Sequence, residues 1–213
     1  MSCTFVLGHY RAILAAARVG GYRFATFGEE PAEGDLFLRH DVDLSLDGAL
    51  RMAELEREEG ATATYFLMTE SVFYNLASGE GAAAIERLRA LGHRVGLHAV
   101  YPRATLDERF DAVVAWHNPD PGYMCAPIED AINVMEERYF DPATYRSDSN
   151  QHWRSGCPCD ELRAGSFRWL QLLTHPEIWA YEGATMKETM YAMLEAEKAR
   201  RLEQLAGDRI DLS

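Results

Sequence analysis

Asp41 and Asp43, together with His98, His117 and His175, offer two carboxylates and three imidazoles, a ligand set suited to zinc or another borderline divalent metal. A metal held by such groups activates water near neutral pH, so the chemistry they point to is hydrolysis. Asp148 adds a further carboxylate to the same pattern. Each residue has a plainer reading when taken alone. Asp41-Val42-Asp43 is also what a turn capping a following helix looks like, and a single histidine after a strand is commonly a hydrogen-bonded core residue. What ties them together is position. Each follows an apolar run that reads as a strand, and independent core histidines have no reason to end successive strands.

The elements that must position these residues alternate between short apolar runs and helical patterns, the mark of an α/β architecture with parallel strands. Leu7 to Val19 is Ala-rich and reads as a helix ended by Gly20-Gly21. Leu36-Phe37-Leu38 is a buried strand running into Asp41 and Asp43, and Ser45 or Asp47 caps a helix that continues to Glu59. Ala63 to Met68 is β-branched and aromatic, a second strand. A helix from Gly81 to Leu91 leads to Val95-Gly96-Leu97, a strand delivering His98. Thr105-Leu106-Asp107-Glu108 matches a capping box and predicts a helix start. Val113 to Trp116 is then either a strand ending at His117 or the last turn of that helix. A strand end is expected around Tyr145 to Asp148, and Trp169 to Leu173 is a strand delivering His175. An amphipathic helix from Ala184 to Leu205 closes the chain. Catalytic groups of alternating β/α barrels gather at the C-terminal strand ends, so these residues are expected at one mouth.

With 213 residues and 47 % hydrophobic content, one domain over residues 1–213 with a sizeable core is expected. The balance of 21 basic against 34 acidic residues, a net charge of -13, argues against nucleic acid and anionic membrane surfaces as partners. No membrane span and no signal peptide is read, and a cytoplasmic location is expected. Oligomerisation is left open. Cys3, Cys125, Cys157 and Cys159 make no disulfide framework. The Cys157-Pro158-Cys159 spacing differs from the usual two-residue gap of zinc motifs, which favours plain loop thiols. His40 and His93 read as structural, and His9 and His152 receive no role.

Four motifs in order, Leu38-Arg39-His40-Asp41-Val42-Asp43, Ala63-Thr64-Tyr65-Phe66, Gly92-His93-Arg94-Val95-Gly96-Leu97-His98 and Leu173-Thr174-His175-Pro176, resemble the polysaccharide deacetylase (NodB-homology) superfamily, in its branch with His-Asp-Val-Asp at the first motif. The resemblance implies a distorted (β/α) barrel of about seven parallel strands. It also implies a divalent metal, zinc first, and hydrolysis of an N- or O-acyl group on a sugar or of a related non-peptide C–N bond. On this resemblance Asp41 is the catalytic base, Asp43 and His98 are metal ligands, and His175 is the general acid, with Asp148 supporting it. The family's second metal histidine falls where this chain has Pro102. His117 either replaces it or occupies the place of an arginine that orients the base. Tyr65, Trp116, Trp153 and Trp179 are expected to offer flat walls to a carbohydrate or small-molecule substrate, and a backbone N–H near Tyr101 is expected to bind the substrate by stabilising the oxyanion formed on attack. Two rival readings are a non-catalytic barrel of the same type serving as a binding or assembly protein, and a hydrolase of small cyclic amides.

Overall fold

The strand that begins at Asp35 has apolar side chains on both faces, so it requires cover on both sides. A computed structural model, describing residues 3–208 and Ile210, provides that cover. In chain order the elements are α1 (Leu7–Val19), β1 (Arg23–Ala25), β2 (Asp35–Val42), α2 (Leu46–Glu58), β3 (Thr64–Leu67), α3 (Gly79–Ala90) and β4 (Arg94–Ala99). There follow β5 (Val113–Trp116), β6 (Ile132–Asn133), β7 (Tyr145–Ser147), α4 (Cys159–Arg163), β8 (Leu170–Thr174), α5 (Pro176–Ala180) and α6 (Met186–Gly207). Seven strands curl into a half-barrel in the order β6-β5-β4-β3-β2-β8-β7, and every pairing between them is parallel. The short β1 runs beside the first half of β2, from Asp35 to Phe37, before β3 takes over from Arg39 to Val42. The expected distorted barrel of about seven parallel strands is therefore the architecture observed.

Side chains along a strand alternate between faces, and this period of two sorts the core into two layers. Leu36, Leu38 and Val42 of β2, with Tyr65, Leu67, Val95, Leu97, Val114, Leu170 and Leu172, face the helices. Phe37, Phe66, Val113 and Ala115 fill the barrel interior with Phe27, Val134, Met135, Tyr139 and Trp169. Gly96 is required by this interior. A Cβ there would stand 2.5 Å from a ring carbon of Phe66. Continuing the interior parity past each strand carries Asp41 and Asp43, His98, His117 and His175 to the same end of the barrel.

Ser45 caps α2, its Oγ accepting from Gly48 N at 3.0 Å, so of the two caps the sequence offers, Ser45 is used. β5 is a strand, which settles the ambiguity at Val113 to Trp116. The helix predicted from Thr105 does not form. Asp107 instead accepts from the backbone N–H of Arg109 at 2.9 Å and grips its guanidinium, so the acidic side chain closes a tight turn rather than capping a helix. No helix among the described residues is long and apolar enough to cross a membrane.

Candidate active site

β2 leaves the barrel carrying Asp41 on its last turn of pleat and Asp43 just beyond it. His98 sits inside β4, one residue before its end. Its Nδ1 lies 2.9 Å from the carbonyl oxygen of Ala115 on the neighbouring strand. A carbonyl can only accept, so Nδ1 carries a proton and a neutral ring presents a bare lone pair at Nε2. That Nε2 faces Asp43 Oδ1 at 3.1 Å and Asp41 Oδ2 at 3.7 Å. His117 follows β5, held by its backbone N–H donating to Ala99 O at 2.8 Å. Its Nδ1 stands 3.2 Å from Asp43 Oδ1 and 3.1 Å from His98 Nε2.

The donor atoms of Asp43, His98 and His117 all lie within 4.8 Å of one another. Asp43 Oδ1 is buried and, although two ring nitrogens stand close, receives no hydrogen bond of acceptable direction. Burial opposes ionisation of Asp43, but the facing His117 and His98 rings overcome it and hold the carboxyl well below the ordinary carboxylate range. In return, contact with Asp43 raises the pKa of His117 against partial burial. A carboxylate oxygen and two imidazole nitrogens facing one point fit a divalent cation with three protein ligands, the arrangement that leaves a position open for chemistry.

Asp41 is buried and doubly bonded to Arg39, two residues earlier on the same face. Arg39 Nε donates to Oδ1 at 2.8 Å and an Nη to Oδ2 at 2.7 Å. The guanidinium also reaches Gln171 Oε1 at 3.3 Å and lies over Phe66. Burial opposes ionisation of Asp41, but Arg39 and then His98 outweigh it and depress the carboxyl's pKa. An arginine that holds this carboxylate therefore comes from β2 itself. Sequence reasoning gave Arg39 no role. The signal was present, since residues i and i+2 of a strand share a face.

Across the cleft His175 caps α5. Its Nδ1 lies 2.6 Å from Asp148 Oδ1, and its backbone N–H donates to Asp148 Oδ2 at 3.0 Å. Burial disfavours the imidazolium, yet Asp148 prevails and pushes the His175 pKa up to about 10. Two positions on, burial pushes the carboxyl of Glu177 up to about 8, and its Oε2 has no partner. A glutamate in the first turn of a helix looks ordinary in sequence, and nothing there marked Glu177.

Arg39, Asp41, Asp43, His98, His117 and His175 line a cleft of about 200 Å³, walled by Trp116, Met124, Met135 and Tyr145. Through Met124, Met135, Tyr145 and Ser149 it adjoins a second cavity of about 380 Å³ that Trp153 lines. Two expected walls are corrected. Tyr65 has helix-side parity and is fully buried, its hydroxyl donating to Glu56 at 2.6 Å. Trp179 is 1 % exposed, and its indole N–H donates to Asp148 Oδ2 at 2.7 Å, so it steadies the partner of His175 instead. Tyr101 stacks on Tyr123 at 4.4 Å and meets Trp116 edge-on at 5.3 Å, behind the cleft wall. No family model matches this chain, and neither a curated protein nor a solved structure matches it.

Proposed function

We propose that the protein is a metal-dependent hydrolase of the polysaccharide deacetylase type, removing an N- or O-acyl group from a sugar or cleaving a related non-peptide C–N bond. The observation that carries this reading is the joint placement of Asp43, His98 and His117 around one point, with Asp41 beside them and His175 opposite. Asp43, His98 and His117 would hold the cation, zinc being the best match to two imidazoles and a carboxylate. When bound, the cation supplies a Lewis acid and brings the ionisation of water towards neutral pH. Asp41 takes the proton of the attacking water, and Arg39 keeps that carboxylate ionised and aimed. His175, held cationic by Asp148, gives its proton from Nε2 to the departing nitrogen or oxygen. Trp116, Met124 and Met135 exclude bulk water from the reacting centre.

The second cavity, sharing four lining residues with the cleft, offers room beside it and favours a carbohydrate over a small cyclic amide, which suits a closed pocket. The test pairs metal content with acetate release from N-acetylated and O-acetylated oligosaccharides. His98→Ala and His117→Ala should each remove about one metal equivalent and abolish release. Asp41→Asn should retain the metal and lose the activity. A wild-type protein whose metal content is unchanged by either histidine variant, and which releases no acetate, supports the non-catalytic barrel.

A further inference from the structure

On the opposite side of Asp148 from the cleft, the chain gathers its remaining sulfur chemistry at one point. Cys3 precedes α1, His9 lies in its first turns, Cys157 ends a loop and Cys159 opens α4. The ligand atoms of Cys3, His9 and Cys157 lie within 4.8 Å of one another. His9 Nε2 is 3.2 Å from Cys157 Sγ and 3.7 Å from Cys159 Sγ. A tetrahedral zinc with Zn–S of about 2.3 Å and Zn–N of about 2.0 Å requires S···N edges of about 3.5 Å, and these two distances straddle that value. The His9 ring stacks on Trp179 with 5° between planes, which fixes the direction of Nε2. Trp153 Nε1 donates to Cys3 Sγ at 3.2 Å, the kind of outer contact that orients a sulfur ligand.

We propose that Cys3, His9, Cys157 and Cys159 form a structural zinc site with three sulfur ligands and one nitrogen, fastening the segment before α1 to the loop leading into α4. Four protein ligands leave no open position, so the site is structural. Soft sulfur donors distinguish it from the carboxylate and imidazole set in the cleft. The site does not depend on the hydrolase reading, but it touches the same framework, since Trp179 links His9 to Asp148.

Cobalt substitution tests this in the full chain. Metal-free protein, kept reduced and titrated with Co²⁺, should develop a thiolate-to-cobalt charge-transfer absorption in the near ultraviolet that saturates at about one equivalent and disappears on adding Zn²⁺. A carboxylate and imidazole site cannot give that band, so it should persist in His117→Ala and Asp43→Ala. Cys157→Ser should lose it, and Cys125→Ser, changing an exposed cysteine outside the cluster, should keep it. No band in the wild type, or a thiol titration of unfolded protein showing cluster cysteines already joined as a disulfide, overturns the proposal without touching the function of the cleft.

Discussion

His40 and Asp41 are neighbours in β2, yet they enter two different clusters of ionisable groups on opposite faces of the sheet. On the helix side, Glu56 of α2 accepts from Tyr10 at 2.5 Å, His40 at 2.7 Å and Tyr65 at 2.6 Å. His93 accepts from Ala63 N–H and lies against Ala53 O, and His40 also meets Thr174 Oγ1 at 2.7 Å. Every polar atom of that cluster has a partner, and it is sealed from solvent. On the barrel side, Asp43 Oδ1 has none and the ring nitrogens of two histidines converge on it. The residue types are nearly the same. A satisfied network specifies a fold, whereas an unsatisfied convergence at the mouth of a cleft asks for a ligand.

The largest expected effect separates the clusters by function. Asp41→Asn should lower hydrolysis by about 10²–10⁴-fold, the usual contribution of a positioned acid or base, with metal content unchanged in elemental analysis. Its counterpart, Glu56→Ala, strands three buried donors and should cost about 3–5 kcal/mol in urea denaturation while the folded fraction still binds metal at the cleft. If instead Glu56→Ala lost the metal with stability intact, the division between the two faces would collapse.

The next effect lies in pH. His175 has a folded pKa raised to about 10, above its ordinary value, so the stability it contributes is complete below the ordinary imidazole range and is lost as pH rises through about 10. Its acid form should likewise persist through neutral pH. Removing the carboxylate with Asp148→Asn should move the alkaline limb of the kcat profile down towards about 6.5. An unmoved limb would assign the proton to another group.

The smallest effect belongs to Glu177. Its folded pKa of about 8 means that the folded chain holds a proton the unfolded chain gives up, so stability falls as pH rises from the ordinary carboxylate range through 8. Glu177→Gln should flatten that decline, gaining roughly 1–3 kcal/mol at pH 9 by thermal unfolding. No gain would mean that the carboxyl has a charged partner when ionised.

Much of the barrel was legible because its signals are local. The apolar runs at Leu36, Ala63, Val95 and Trp169 all became strands, with Ser45 and Gly92 near the expected ends of their helices. Legibility failed where one local signal competed with another. Thr105 to Glu108 has the spacing of a capping box, but Asp107 found Arg109 two residues away and made a turn. Aromatic residues were the weakest guide to the site. Tyr65 and Trp179 look like sugar platforms in sequence, yet a one-residue change of parity or a layer of helix is enough to bury them.

The chain's own order of residues determined which groups end the strands and, through the period of two, that Asp41, Asp43, His98 and His175 share a face. Tertiary structure alone decided that His117 comes together with Asp43 and His98, that Arg39 holds Asp41, and that His9 meets cysteines from the segment before α1 and from the start of α4. Parallel strands are joined by crossovers of variable length, so distance along the chain carries no measure of distance across the sheet. Periodicity says which way a side chain points; only the pairing of β4 with β5, and the packing of α1 on α4, says what it meets.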